Sequence, residues 1–169
     1  MEFNIVTEYN LAALQHMAKA LRKTIRKKRS RRSHILGILV VILGIILILS
    51  ATEWNIKTTV TAIATLAIVI ALIFEDGING YIAWKRRLPG LKSAITTFHE
   101  SGFHSETEIG ASDFSYEIIQ QIVLTERYLV FILGTSHGQV YDLQTLQGGS
   151  MEFFLDFLTA RNGLTVERL

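Results

Sequence analysis

The chain contains no cysteine, and only one of its 169 residues is proline. Without cysteine there is no disulfide framework, no thiolate metal site and no cysteine nucleophile. The glycine-containing segments 134–138 and 148–149 lack the lysine and the strand-loop-helix context of a phosphate-binding loop. No other residue set forms a recognisable catalytic site, so we expect no enzyme activity and no cofactor or metal.

Charge is also missing from two long stretches. Ile35–Ala51 and Thr58–Phe74 are uncharged and apolar, and each spans about 25 Å as a helix, close to the thickness of the hydrocarbon core. The six residues between them allow only a tight turn. The sequence therefore predicts a membrane hairpin of two antiparallel helices, flanked by the aromatic residues Trp54, Tyr81 and Trp84.

The distribution of Lys and Arg predicts the orientation of this hairpin. Arg22–Arg32 precede the first stretch, Lys85–Arg87 follow the second, and only Lys57 lies in the turn. Basic loops stay on the cytoplasmic side of a membrane. We therefore expect a protein of the bacterial inner membrane with both termini in the cytoplasm. A cleaved signal peptide is the alternative, but the basic region lies deep in the chain and a second apolar stretch follows at once.

Small residues recur on one face of each apolar stretch, which favours close helix packing in lipid. The predicted packing residues are Gly37, Val41, Gly44, Thr58, Thr61, Ala62 and Thr65. They would pack within one molecule or, alternatively, form a homo-oligomer contact. Glu75 and Asp76 follow the second stretch. They are solvated if the helix ends near Phe74 but need a partner if it continues into the bilayer edge.

The net charge of +2 conceals three segments of different composition. Residues 1–33 carry nine basic and two acidic side chains, residues 34–88 carry four and three, and residues 89–169 carry four and ten. We expect a basic juxtamembrane segment, a transmembrane hairpin and an acidic cytoplasmic domain with these boundaries.

The basic segment has the pattern of an amphipathic helix over residues 11–32. Its cations, with those after the second stretch, are predicted to contact anionic lipid headgroups. They are Arg22, Lys23, Arg26, Lys27, Lys28, Arg29, Arg31, Arg32, Lys85, Arg86 and Arg87. Nucleic-acid binding is the other reading, but no aromatic residues interleave with the charges to stack on bases, so we expect no nucleic-acid partner.

After Pro89 the pattern changes to short alternating runs that predict antiparallel strands. The predicted strands are Ser93–Phe98, Phe103–Ile109, Asp113–Ile118, Ile122–Thr125, Tyr128–Leu133 and Gln139–Leu143. Turn-like breaks separate them, including one at residues 110–112. A helix over Met151–Arg161 is predicted next, with Ser150 as N-cap and Asn162-Gly163 as its end. We expect it to cover the apolar face of the sheet.

The order of these parts resembles the YcxB-like family. The segments that carry the resemblance are Phe98–Phe103, Tyr116–Ile122, Tyr128–Leu133 and the helix around Phe153–Leu158. The resemblance implies a two-helix membrane hairpin and an α+β cytoplasmic unit similar to bacterial PH-like domains, with an antiparallel sheet and a C-terminal helix. The family's tryptophan is replaced by Tyr116, and its Pro-Lys pair is absent near Tyr141–Leu143.

PH folds suggest phosphoinositide binding, but the first predicted hairpin, His99–Gly102, has no Lys or Arg to bind phosphate. We therefore expect a membrane-anchored accessory protein whose acidic domain docks an unidentified protein partner. An immunity protein against a membrane-active toxin and a small transporter or channel subunit are the alternatives. His99, His104, Glu106 and Glu108 are the only metal-type cluster. The two histidines fall on opposite faces if the loop is Glu100–Gly102, and only a two-residue turn would pair them.

Overall fold

The computed structural model describes residues 2–169, which form an α+β fold of two four-stranded sheets and five helices. The helices are α1 (Leu11–Lys23), α2 (Lys27–Leu49), α3 (Ile56–Ile73), α4 (Glu75–Arg86) and α5 (Met151–Asn162). Helices α2 and α3 are long and apolar enough to cross a membrane.

The first sheet is antiparallel throughout and contains β1 (Phe3–Glu8), β2 (Ser93–Phe98), β3 (Phe103–Thr107) and β4 (Gly110–Phe114), in that order. Strand β1 pairs with β2 along its whole length, from the Phe3–Phe98 pair to the Glu8–Ser93 pair. Four helices, α1 to α4, are thus inserted between two neighbouring strands of one sheet.

The second sheet is mixed and has the order β7 (Gly138–Asp142), β6 (Tyr128–Ile132), β5 (Gln121–Leu124) and β8 (Val166–Arg168). Strands β5, β6 and β7 are antiparallel, whereas β8 runs parallel to β5. Strand β6 is buried at all five positions because both faces of this sheet are covered.

One face of the second sheet packs against the first sheet and α5. This core is rich in aromatic rings, and its fully buried members include Phe3, Phe98, Phe131 and Phe154. The other face packs against α1, whose Ala13, Ala20 and Leu21 meet the side chains of Val123, Val130, Ile132 and Val140. The predicted amphipathic face of α1 therefore covers protein.

Strand β1 was not predicted, and it joins the N-terminal residues to the sheet formed by later ones. Phe3, Ile5 and Thr7 are buried, while Asn4, Val6 and Glu8 point outward. This is the alternation of a strand with one covered face. The first sheet is therefore built from Phe3–Glu8 together with later strands, and not from residues 89–169 alone.

The helix predicted over residues 11–32 is interrupted at Thr24–Arg26. The Thr24 hydroxyl donates a hydrogen bond to the Ala20 carbonyl (2.7 Å), and its backbone leaves the helical region at φ −108°, ψ −99°. A threonine that bonds back to the preceding turn weakens and bends a helix. The interruption lets α1 follow the sheet while α2 leaves it.

The strand predicted over Asp113–Ile118 is wrong in position, since β4 begins at Gly110 and residues 116–118 form a 3₁₀ turn. Gly110 has φ +153°, which a side chain would disfavour, and it lets β3 return as β4 after only Glu108 and Ile109. The prediction for α5 is confirmed: the Ser150 hydroxyl accepts from the Phe153 N–H (3.2 Å), and Gly163 ends the helix at φ +69°.

Candidate functional site

Of the eleven cations predicted to contact lipid, three bind a carboxylate or backbone carbonyl elsewhere in the chain, and eight are exposed. Arg22 pairs with a carboxylate, Arg26 Nε donates to the Thr135 carbonyl (2.7 Å), and Arg87 Nη1 donates to the Tyr9 carbonyl (2.9 Å). The exposed ones are Lys23, Lys27, Lys28, Arg29, Arg31, Arg32, Lys85 and Arg86. The basic segment thus both supports the fold and presents charge.

The partner of Arg22 is Asp76, at the start of α4. Arg22 Nε and Nη2 donate to the two carboxylate oxygens of Asp76 at 2.5 and 2.7 Å, a bidentate pair that joins α1 to α4. Both side chains are 26% exposed. The hydrogen bond to Asp76 raises the pKa of Arg22 above its ordinary value.

Glu75 is held in the same place by α1 and α2. Its Oε2 accepts from the Ser30 hydroxyl (3.2 Å) and lies 3.5 Å from His34 Nδ1 and 3.7 Å from Arg22 Nε. The sequence left open whether Glu75 and Asp76 are solvated or buried with a partner. Both are half-buried, and both have basic partners from the N-terminal segment.

Helix α4 lies directly on α1 a little further along. A Cβ atom built at Gly80 would be 2.7 Å from Cα and 2.9 Å from N of Gln15, so the two backbones touch. Arg87 then fixes the C-terminal end of α4 to Tyr9, just before α1. The two helices that flank α2 and α3 therefore form one unit, which α1 attaches to the second sheet.

A cleft of about 580 Å³ opens beside this unit, between α1, α2, α4 and the turn from β6 to β7. Three arginines and one carboxylate contribute charge, and serine, threonine and asparagine contribute hydrogen-bonding groups. Its polar lining consists of Arg22, Arg26, Arg29, Ser30, Ser33, Glu75, Asn79, Thr135 and Ser136. Such a surplus of guanidinium and hydroxyl groups suits an anion with several oxygen atoms.

The predicted packing residues of α2 and α3 lie against each other within one chain. Gly44 is buried, and a Cβ atom there would lie 2.2 Å from Thr65 Oγ1; at Gly37 it would lie 2.7 Å from the Leu72 side chain. Thr58 is buried, while Val41, Thr61, Ala62 and Thr65 are half-buried. The hydroxyls of Thr61 and Thr65 donate to carbonyls one turn earlier in their own helix.

Strand β4 forms one edge of the first sheet. It pairs with β3 alone among the strands of residues 2–169, and only Phe114 of its residues is partly covered. Asp113 on β4 lies 2.6 Å from Nδ1 of His104. Among residues 2–169, no three His, Asp or Glu side chains converge as a metal-binding group.

In comparisons with known proteins, no family model matches this chain and no curated sequence matches it significantly. Function must therefore be argued from the arrangement of its own residues.

Sequence reasoning identified the basic residues beside the apolar helices but missed the residues that contact them. For Asp76 the sequence left open whether the carboxylate is solvated or needs a partner, and Arg22 is 54 positions away from it. Asn79, Thr135 and Ser136 gave no signal, since single polar residues near turns are common. The carboxylate pair directly after an apolar run was the one usable clue.

Proposed function

We propose that this chain is a non-enzymatic, membrane-anchored accessory protein whose PH-like domain docks a protein partner at the cytoplasmic face of a bacterial inner membrane. In this proposal α2 and α3 are the transmembrane hairpin. The remaining helices and the two sheets stand on one side of the bilayer.

The membrane assignment is supported by the exposure of the two apolar helices. Only Ser30, Gly44 and Thr58 are buried along them, and large side chains such as Leu36 (63%) and Leu66 (60%) are exposed. Monomeric soluble proteins rarely expose apolar surface of this extent. In a bilayer the same surface would lie in hydrocarbon at no cost.

The orientation is supported by the positions of the cations relative to these helices. The exposed Lys and Arg residues lie at the start of α2 and the end of α4, whereas the turn between α2 and α3 has only Lys57. By the positive-inside rule the side with α1 and α4 is cytoplasmic. The sheets share that side because α1 packs on the second sheet, which shares its other core with the first sheet.

The PH-like assignment is supported by the order of the strands and the last helix. A meander of four antiparallel strands, β1 to β4, is followed by one of three, β5 to β7, and α5 then packs on the core between them. The resemblance to the YcxB-like family likewise implies an antiparallel sheet followed by a C-terminal helix. Here the transmembrane hairpin is an insertion between the first two strands of the domain.

The observation that carries the docking proposal is the open edge at β4. An exposed edge strand offers unpaired N–H and C=O groups to an extended segment of another protein. The turn between β3 and β4 has two residues, so Thr107 and Gly110 form the first hydrogen-bonded pair. Hydrogen-bonded and non-hydrogen-bonded pairs alternate along the strands, and the backbone N–H and C=O groups of Ala111 and Asp113 therefore point away from β3. Few bulky side chains obstruct them.

The charge around this edge favours a basic partner segment. Glu106, Glu108, Asp113 and Glu117 are exposed on or beside β3 and β4. Residues 89–169 carry ten acidic and four basic side chains. Complementary charge raises the association rate and selects the partner, and main-chain hydrogen bonds provide the register.

The test is crosslinking in cells of the source organism with the full-length protein and two variants at one position. Ala111→Pro removes the outward-facing backbone donor, and Ala111→Val retains it with a larger side chain. We expect a specific protein to be retained by the parent and Ala111→Val and lost from Ala111→Pro. Retention by all three would contradict docking at β4.

Thermal unfolding of each variant provides the control for folding, because proline is tolerated at outward-facing positions of an edge strand. Truncation after Arg87 is not a suitable control. It would remove β2, the strand that pairs with β1, together with all of the aromatic core except Phe3 and Ile5.

A further inference from the structure

We propose that the cleft between α1, α2, α4 and the β6–β7 turn binds the phosphate group of an anionic phospholipid. This inference rests on the membrane placement proposed above, but not on the docking of a protein at β4. It assigns a specific binding site to a few of the cations in the basic segment.

The cleft extends from the interfacial layer, where lipid phosphate lies, to just outside it. The apolar run of α2 starts at Ile35, so Ser33 lies about 3 Å and Arg29 about 9 Å before it along the helix axis. The interfacial layer on each side of the hydrocarbon core is roughly 5–8 Å thick. Glu75 and Asn79 follow the end of α3 at Ile73 and line the cleft from α4.

Two guanidinium groups in the cleft have donors to spare. Arg26 is half-buried and uses Nε for the Thr135 carbonyl, which orients the group and leaves its two Nη atoms without a hydrogen bond to residues 2–169. Arg29 is exposed, and no carboxylate of residues 2–169 forms an ion pair with it. Guanidinium groups bind phosphate through parallel N–H···O bonds.

The acidic side chains nearby offset two of the three arginine charges. Asp76 is engaged by two hydrogen bonds from Arg22, and Glu75 faces Ser30, His34 and Arg22. One positive charge therefore remains in surplus, and Arg26 and Arg29 are the arginines that neither carboxylate contacts. The ligand should therefore be an anionic lipid, and a zwitterionic lipid should bind more weakly.

The cleft differs in form from the rest of the basic surface. Lys28 and Arg32 are exposed on α2 and do not line it. They can attract anionic lipid only through the diffuse field at the membrane surface. In contrast, the cleft brings side chains from four elements around one volume, which is a property of a binding site.

The test measures lipid binding to the full-length protein in a neutral detergent by native mass spectrometry. Phosphatidylglycerol, phosphatidylcholine with the same acyl chains, and inorganic phosphate are added separately. The variants are Arg29→Gln and Arg32→Gln, which remove the same charge three residues apart on one helix. Arg29 is exposed, so its replacement should not affect folding, and thermal unfolding verifies this.

We expect phosphatidylglycerol to bind the parent protein more tightly than phosphatidylcholine. Arg29→Gln should weaken this binding about tenfold, the loss of one charge-assisted hydrogen-bonding group, and Arg32→Gln by about twofold at most. Equal effects of the two variants would overturn the proposal, because they would indicate diffuse attraction only. Inorganic phosphate binding as tightly as the lipid would also overturn it in favour of a soluble ligand.

Failure here is distinguishable from failure of the proposed function. Extraction of membranes at alkaline pH tests whether the chain is integral to the bilayer, and the Ala111 variants test docking independently. A protein that is integral and docks its partner but treats Arg29 and Arg32 alike would refute the lipid site alone.

Discussion

Replacement of Gly80 by alanine should separate α4 from α1 and lower the stability of the protein. A Cβ atom at this position would lie 2.5 Å from Cγ, 2.7 Å from Cα and 2.9 Å from N of Gln15. The side chain of Gln15 can move, but its backbone belongs to α1 and cannot move alone. Overpacking of this kind typically costs about 1–3 kcal/mol.

Gly77→Ala on the same helix is a matched control for this substitution. A Cβ atom there would meet only Gln15 Nε2, at 3.7 Å, which is an ordinary contact. Both substitutions should gain about 1 kcal/mol of helix propensity. The difference between the two variants therefore isolates the contact with Gln15, and Gly77→Ala should be more stable than Gly80→Ala by about 1–3 kcal/mol.

The assay is thermal unfolding of the full-length protein in detergent, followed by tryptophan fluorescence with Trp84 on α4 as a reporter. For a chain of this size, 1 kcal/mol corresponds to roughly 2–4 °C in Tm. A difference of about 2 kcal/mol would thus separate the variants by roughly 4–8 °C. If Gly80→Ala were stabilising to the same degree as Gly77→Ala, the close approach of α1 and α4 would be refuted.

Two further predictions concern charged groups. Hydrogen bonds from Arg127 and from the Gln144 N–H lower the pKa of Asp142. Hydrogen bonds from the backbone of Glu108 itself, from Lys92 and from Ser93 lower the pKa of Glu108 to about 2. Because the unfolded carboxyls take up protons at about pH 4, this stabilisation is complete above that range and lost as the pH falls toward 2. Measurements of Tm against pH should show a smaller acid loss for Glu108→Gln, and an unchanged slope would contradict this. In a double-mutant cycle, Arg22→Gln and Asp76→Asn should couple by about 1 kcal/mol in unfolding free energy, and additive effects would rule out the pair.

Local patterns in the sequence predicted much of the β region. Ser93–Phe98 was predicted with the bounds of β2, and Tyr128–Leu133 differs from β6 by one residue. The cap at Ser150 and the stop at Gly163 fixed α5. Each of these signals depends on residues a few positions apart, for which alternation and capping rules suffice.

The parts that escaped prediction depend on residues far apart in the chain. β1 has only six residues, and its partner β2 begins at Ser93, beyond four helices. The pairing of Arg22 with Asp76 also spans the two apolar helices. In the sequence alone the cations before α2 had one evident role, attraction to lipid headgroups, because no local pattern indicates which of them will meet a carboxylate.

The insertion of four helices between β1 and β2 has a consequence for biosynthesis. The ribosome makes β1 first, but residues 9–92 must follow before the partner strand is complete. At roughly 5–20 residues per second the wait is on the order of 10 s. During that time both apolar helices are synthesised while Phe3 and Ile5 still lack their core. The domain can therefore fold only after β2 has been made, and the nascent chain must keep β1 unpaired until then.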